Sequence, residues 1–270
     1  MNDEIEKLHT AIRQYCIDRY AYWTENYKKL NALEKGFSVE NGYSDEALTV
    51  IPRYNVLNAI LAEIERHRPA DFSSFEEAKE FFTLAVTEAQ NIFTKPPNEE
   101  IKQRTIDEER ALLIQYITRL SKSDLSEVKS LYYRHVLSKS ESDFVREKLK
   151  TIWNVKGYYY PLEYRTRDDI EAFQDKYFEK EFGFERLREI LHLRGISRIW
   201  EMCESDENHE IELSIFAPNL SETFWCDANF DWLIYASHES SITFAGSILS
   251  EIKNNWTNWQ QRVWTSPFFD

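Results

Sequence analysis

The spacing of apolar residues changes along this chain, and the change constrains the fold more than any other feature. From Ile5 to Leu30, apolar side chains recur at intervals of three and four residues, which forms one stripe of an amphipathic helix. Beyond Gly195, apolar and polar residues alternate, most regularly from Ile211 to Ile215, as in a half-buried strand. Helical and strand patterns in separate segments predict an α+β protein.

Three more helices are predicted in the N-terminal part. Residues 54–64 repeat the helical spacing. Ser74 followed by Glu77 matches a capping box, in which each side chain satisfies a backbone amide at the start of a helix. Asn98 is a suitable N-cap for the fourth helix. We therefore expect a helical domain over residues 1–122.

The remainder, residues 123–270, is predicted to form an antiparallel sheet of four or five strands flanked by helices, with the N-terminal helical part packed on it. Short runs rich in β-branched and aromatic residues, separated by polar turns, mark the strands. The runs cover residues 196–204, 211–215, 222–227, 232–237 and 241–245, and residues 130–137 and 157–164 also have strand character. Helices are predicted at residues 138–153, 168–180, 185–193 and 246–252.

Negative charge is concentrated in one stretch of the C-terminal part. The chain has a formal net charge of −14, and the segment from Ile199 to Ile252 contains eleven Asp and Glu residues but no Lys or Arg. Within it, Glu210 and Glu212 alternate with apolar neighbours, so they share the solvent-facing side of one strand. Neighbouring like charges destabilise a fold by roughly 0.3 kcal/mol per pair, and a cluster of them is often functional. An acidic surface that only improves solubility explains the stretch equally well.

We interpret the acidic stretch as a docking surface for a basic protein, since complementary charge speeds association and sets specificity. The predicted function is a non-enzymatic immunity or antitoxin protein that neutralises a basic toxin domain. The predicted partner-binding residues are Glu201, Glu204, Glu210, Glu212, Asp227, Asp231 and Glu239. Nucleic acid is not an expected partner, because phosphate binding requires a positive surface that this stretch lacks.

An alternative interpretation is an uncharacterised hydrolase or transferase. Its polar site is predicted around Asp231, Tyr235, His238 and Glu239. Tyr235 and Ser237 share one face of a strand, and Glu201 from a neighbouring strand could join them. However, adjacent Ser and His side chains on a strand point to opposite faces, and polar residues between two strands are also typical of a tight turn.

A second alternative is a helical scaffold or adaptor that binds another protein through an apolar groove among the first four helices. The tryptophans Trp256, Trp259 and Trp264 could also anchor a partner, although their spacing favours packing in the core.

No cofactor or metal is expected. The six glycines are too scattered for a nucleotide-binding loop, and no H-x-x-x-H or H-E-x-x-H pattern occurs. The three cysteines lack C-x-x-C spacing, which predicts free buried thiols. No run approaches 18 apolar residues and no signal peptide is recognisable, so a cytoplasmic location without membrane association is expected.

Overall fold

A computed structural model describes residues 2–33, 35–95, 100–157, 167–204, 207–218 and 222–265 of the chain. The backbone contacts divide the chain into two compact units, Met1–Leu131 and Tyr132–Asp270. The first unit is helical and the second contains a large antiparallel sheet, so the protein belongs to the predicted α+β class. The predicted division into a helical domain, residues 1–122, and an α+β domain, residues 123–270, stays a prediction.

The described residues of the helical unit include four long helices, one short helix, a 3-10 turn at Pro69–Asp71 and a small hairpin. Its elements are α1 (Asn2–Ala32), β1 (Phe37–Ser38), β2 (Gly42–Tyr43), α2 (Asp45–Leu48), α3 (Ile51–Glu65), α4 (Phe75–Glu88) and α5 (Glu100–Arg119). The long helices share one apolar core, in which Leu8, Phe82 and Leu113 are completely buried. Ser74 caps α4 by accepting a hydrogen bond from the Glu77 backbone at 3.2 Å, as the capping pattern predicts.

One fully buried glutamate, Glu109 of α5, connects three helices of this unit. Its carboxylate accepts hydrogen bonds from Arg19 and Trp23 of α1 at 2.8 and 3.2 Å, and from Arg53 of α3 at 3.1 Å. Because a buried carboxylate without such partners would cost several kcal/mol, the two arginines and the indole are part of what makes this packing possible.

The described residues of the second unit include seven strands in one antiparallel sheet. The strands are β3 (Arg134–Val136), β4 (Ile170–Gln174), β5 (Arg198–Cys203), β6 (His209–Glu212), β7 (Thr223–Cys226), β8 (Trp232–Ser237) and β9 (Ser241–Gly246). Their order across the sheet is β3-β6-β5-β7-β8-β9-β4. The prediction of four or five strands was too low, because β3 and β4 reach the two edges from earlier segments of the chain.

Helices cover both faces of this sheet. They are α6 (Lys139–Trp153), α7 (Asp175–Tyr177), α8 (Phe184–Leu193) and α9 (Ser247–Asn255). On one face, Trp225 and Ile234 belong to a core with buried residues of α8 and α9. On the other face, Phe224 and Tyr235 belong to a core with buried residues of α6. The interior strand β8 is therefore buried at all six positions, which explains its nearly continuous apolar sequence.

The prediction of a helix at residues 168–180 is wrong over the first half of that range. Residues Ile170–Gln174 form strand β4, which pairs with β9, and only Asp175–Tyr177 is α-helical before a π-helical turn at Phe178–Phe182. Phe173 is completely buried on one face of the sheet and Ala172 is buried on the other. Pairing with a distant strand therefore overrides the local preference for a helix.

The strand predicted at residues 211–215 begins and ends earlier in the structure. Strand β6 spans His209–Glu212, and Leu213–Ile215 forms a 3-10 turn. The Ser214 hydroxyl donates a hydrogen bond to the Glu212 carboxylate at 2.6 Å, a local contact that competes with strand pairing.

The tryptophans near the C-terminus pack in the core. Trp256 and Trp264 are 3% and 8% exposed, and the Trp256 ring lies 5.2 Å from that of Phe173. Two predictions, the Asn98 cap and most of the strand at residues 157–164, lie outside the described residues. Within the described part of the chain, no helix is both long and apolar enough to cross a membrane.

Candidate protein-binding surface

Three carboxylates of the acidic stretch meet at one end of the sheet. Glu204 follows strand β5, Glu222 precedes β7, and Glu239 lies in the turn between β8 and β9. The backbone N–H of Glu204 donates a hydrogen bond to the Glu222 carbonyl at 3.1 Å. His238 occupies the same turn as Glu239. We call these four residues the hairpin cluster.

Glu222 makes the contacts that organise the hairpin cluster. Its carboxylate accepts hydrogen bonds from the Tyr235 hydroxyl and, at 2.9 Å, from the backbone N–H of His238. The same oxygen lies 2.5 Å from Nδ1 of His238. Glu222 has a φ of +52°, a left-handed conformation that costs a non-glycine residue about 1 kcal/mol. The contacts of its side chain therefore hold this residue in an unfavourable backbone geometry.

The charges of Glu222 and His238 stabilise each other. Burial raises the pKa of Glu222, but hydrogen bonds from Tyr235 and His238 outweigh burial, and the net pKa lies below its ordinary value. The hydrogen bond to Glu222 raises the pKa of His238, and the charges of Glu239 and Glu204 raise it further. Glu222 and His238 therefore each favour the other's charged form.

The residues of the hairpin cluster differ in how far they reach solvent. The side chain of Glu222 is 12% exposed, whereas that of His238 is 64% exposed. Glu204 is exposed, and the Glu239 side chain is 28% exposed and lies 3.1 Å from Nε2 of His238. An approaching partner would therefore meet His238 and Glu204 first, with Glu239 less exposed and Glu222 behind them.

The seven residues predicted to bind a partner do not form one surface, because Glu201 is buried among core residues. Only 5% of Glu201 is exposed, and its carboxylate accepts a hydrogen bond from the Trp225 indole at 3.0 Å. The strand register also places Glu201 opposite Trp225, whereas Tyr235 lies opposite Phe224. Glu201 and Tyr235 therefore lie on opposite faces of the sheet, and the prediction that they line one site was wrong.

Asp227 and Asp231 are held by contacts within the unit. Asp227 is 7% exposed and accepts a hydrogen bond from the backbone of Asn229 at 3.0 Å. Asp231 forms a 2.9 Å ion pair with Arg194, whose other terminal nitrogen pairs with Glu251 at 2.9 Å. An arginine from outside the acidic stretch thus neutralises two of its acids.

Glu210 and Glu212 lie on the same face of strand β6, as their alternation predicts, and both are half-buried. The Tyr133 hydroxyl donates to Glu210 at 2.7 Å, and the Tyr133 backbone donates to Glu212 at 3.0 Å. The Arg198 guanidinium stacks 3.7 Å from the Tyr133 ring centre and lowers the pKa of Glu212, behind the larger effect of the Ser214 hydrogen bond. Tyr133 and Arg198 therefore partly compensate the charges of these two glutamates.

The polar site predicted around Asp231, Tyr235, His238 and Glu239 is only partly assembled. Asp231 and His238 flank opposite ends of β8, which at about 3.3 Å per residue places them roughly 20 Å apart. The structure instead brings Tyr235 and His238 together at Glu222. Burial, with the Glu222 contact second, raises the pKa of the Tyr235 hydroxyl, so it remains a hydrogen-bond donor.

The described residues contain no group of three or more His, Cys, Asp or Glu side chains arranged to hold a metal ion. The cysteines Cys16, Cys203 and Cys226 are free and buried. Burial raises the pKa of the Cys16 and Cys226 thiols, which makes them poor nucleophiles.

The sequence analysis predicted Glu204 and Glu239 as partner-binding residues, which stays a prediction, and it did not name Glu222, which lies beside them in the hairpin cluster. Glu222 stands at the start of a predicted strand, and its importance depends on a left-handed turn that brings its side chain to Tyr235 and His238. No motif in the sequence marks that turn.

No protein-family model matches the chain, and no curated protein or solved structure is significantly similar to it. The function must therefore be argued from the geometry and charge of the candidate surface.

Proposed function

We propose that this chain is a non-enzymatic immunity or antitoxin protein, acting in the cytoplasm, that neutralises a basic toxin domain. The observation that supports this function most is the hairpin cluster, in which Glu204, Glu222 and Glu239 surround a single imidazole at the end of the sheet. Three carboxylates and one His leave an excess of negative charge that is accessible through Glu204 and Glu239. A lysine or arginine of a partner fits this charge.

The proposed surface is narrower than the acidic stretch. Glu201 and Asp227 are buried, and Asp231 is paired with Arg194, so we assign them to the fold. Glu210 and Glu212 remain a second, weaker contribution to the negative field. Partner contacts are therefore expected around the β8–β9 turn.

The hydrolase or transferase alternative has one contact in its favour, the 2.5 Å approach of His238 Nδ1 to Glu222. A carboxylate that orients an imidazole is common in catalytic sites. Two features favour binding instead. The raised pKa of His238 favours its protonated form, which cannot act as a general base. In addition, 64% of the side chain is exposed, whereas catalysis benefits from an enclosed site.

The proposed function is tested with the basic protein encoded beside this gene in its native host. We expect the two purified proteins to form a complex whose affinity falls by about tenfold or more, equivalent to about 1.4 kcal/mol, when Glu204 and Glu239 are both replaced by Lys. We also expect weaker binding when salt is raised from about 0.1 to 1 M, because the Debye length falls from about 10 to 3 Å. Isothermal titration calorimetry measures both effects.

Two Glu→Lys replacements on α8, at the exposed Glu185 and Glu189, change the net charge equally and serve as the matched control. The control should bind like the wild-type protein. If the Glu204→Lys/Glu239→Lys variant binds as tightly as the control at low salt, the hairpin cluster is not the docking surface.

A further inference from the structure

A groove lined by aromatic side chains lies between helix α1 and the β1–β2 hairpin of the helical unit. Its described lining residues are Tyr27, Asn31, Phe37, Ser38 and Tyr43. The groove has a volume of about 590 Å³, within the range of roughly 300–1,000 Å³ that ligand sites occupy. None of these five described residues is charged, which favours an uncharged ligand. We call this feature the aromatic groove.

Aromatic rings form both walls of the groove. Tyr27 and Asn31 stand one helical turn apart on α1, so their side chains are neighbours. On the hairpin, Phe37 lies opposite Tyr43, with ring centres 5.2 Å apart and ring planes at 59°. Phe37 and Tyr43 are 55% and 47% exposed. The rings therefore remain accessible to a ligand and are not closed into a core.

The lining residues of the aromatic groove also carry hydrogen-bond donors. The Asn31 amide carries two donor hydrogens, and the hydroxyls of Tyr27 and Tyr43 each carry one. Gly36 leaves room for the Asn31 amide beside the β1–β2 hairpin, because a Cβ atom at Gly36 would lie 2.1 Å from the Asn31 Oδ1 atom. The groove thus combines aromatic faces with neutral donors.

We propose that the aromatic groove binds a proline-rich segment of another protein in the polyproline II conformation. That conformation has no internal hydrogen bonds, so its carbonyl groups need donors, and its proline rings pack on aromatic side chains. Both requirements match the lining of the groove. This site belongs to the helical unit and does not depend on the hairpin cluster or on the proposed toxin partner.

The test uses a synthetic deca-proline peptide and the full chain. We expect saturable binding by isothermal titration calorimetry, with NMR shifts of the Asn31 side-chain amide. Tyr43→Ala and Phe37→Ala should each weaken binding by about tenfold, as expected for aromatic hot-spot residues. Gly36→Ala should also weaken it, because the added methyl displaces the Asn31 amide. Val39→Ala is the control, since Val39 is 95% exposed at the hairpin and is not among the described lining residues.

The melting temperature of each variant checks that it is folded, and the partial exposure of Phe37 and Tyr43 makes this outcome expected. The proposal is overturned if deca-proline gives no saturable binding at millimolar concentration. It is also overturned if folded Tyr43→Ala and Phe37→Ala variants both bind like the wild-type protein. A neutral oligosaccharide, maltohexaose, is titrated in parallel, and binding of the sugar without binding of deca-proline would replace the proposal with a carbohydrate site.

Discussion

Glu222 controls the protonation of His238, and this control can be measured directly. In Glu222→Gln the negative charge next to Nδ1 is lost, so we expect the pKa of His238 to fall toward its ordinary value of 6.5. NMR titration of the imidazole protons measures this change. Glu189→Gln, an exposed change on α8, is the control and should leave the His238 titration unchanged. An unchanged pKa in Glu222→Gln would show that the contact does not persist in solution.

The same contact predicts a pH dependence of stability. Because the pKa of His238 is raised in the folded state, protonation of His238 stabilises the fold. This stabilisation is fully present below the unfolded pKa of 6.5 and is lost as pH rises through the folded pKa. Because the pKa of Glu222 is lowered in the folded state, ionisation of Glu222 also stabilises the fold. This stabilisation is fully present above the unfolded pKa of 4.5 and is lost as pH falls through the folded pKa. The difference in melting temperature between wild-type protein and Glu222→Gln should therefore be largest between pH 4.5 and 6.5. A constant difference across pH would contradict this linkage.

In the helical unit, two adjacent glutamates of α5 share Arg53 but differ in burial. Glu109 is completely buried between two arginines, whereas the side chain of Glu108 is 51% exposed. We expect Glu109→Ala to lower the free energy of unfolding by roughly 3 kcal/mol, because it removes the buried carboxylate that pairs with the partly buried Arg19 and is one of two partners of Arg53. Glu108→Ala should cost less than about 1 kcal/mol. Urea denaturation compares the two, and similar losses would argue against the buried network.

At the level of elements, the junction between β9 and α9 depends on Gly246. Its φ is +72°, and an added Cβ would lie 2.3 Å from the Asp231 carbonyl oxygen and 2.5 Å from the Trp153 ring. Gly246→Ala should therefore cost roughly 2–5 kcal/mol from backbone strain and overpacking together. Gly195→Ala is the matched control, since its φ is +81° but nothing lies within 4 Å. That control should cost about 1–2 kcal/mol in denaturation experiments.

Local sequence signals predicted some elements well and failed on others for a physical reason. Strand β8 has the predicted bounds, 232–237, because its apolar run is enclosed by Asp231 and His238. The helix predicted at residues 138–153 forms as α6, and Ser138 and Glu141 make a capping box at its start. Strand β4 was mistaken for helix because only its pairing with β9 makes it extended. That pairing joins segments about 70 residues apart, which local periodicity does not reveal.

The sequence predicted an acidic surface in the C-terminal part of the chain, but it did not predict where in the fold that surface lies. The acidic stretch does contain accessible carboxylates, since Glu204 is exposed and Glu239 is half-buried. It gives no warning that Arg194 and Arg198, just before the stretch, compensate part of its charge. Charge counts along a sequence miss such pairing because it depends on which strands become neighbours.

For the whole molecule, separate cores in the two units predict that each folds alone. The helical unit has its own buried apolar cluster, and the sheet has one on each face. We expect fragments 1–131 and 132–270 to show cooperative thermal unfolding and dispersed NMR spectra when expressed separately. A fragment that is unfolded in isolation would show that its core needs the rest of the chain.

The strand order also has a consequence for synthesis of the protein. Strands β3 and β4 emerge from the ribosome before β6 and β9, the strands beside which they finally lie. A nascent chain that ends before Ser241 therefore carries β4 with no partner strand, and unpaired strands are prone to aggregate. Until residues 241–246 have been translated, strand β4 of the incomplete sheet must be kept from pairing with strands other than β9.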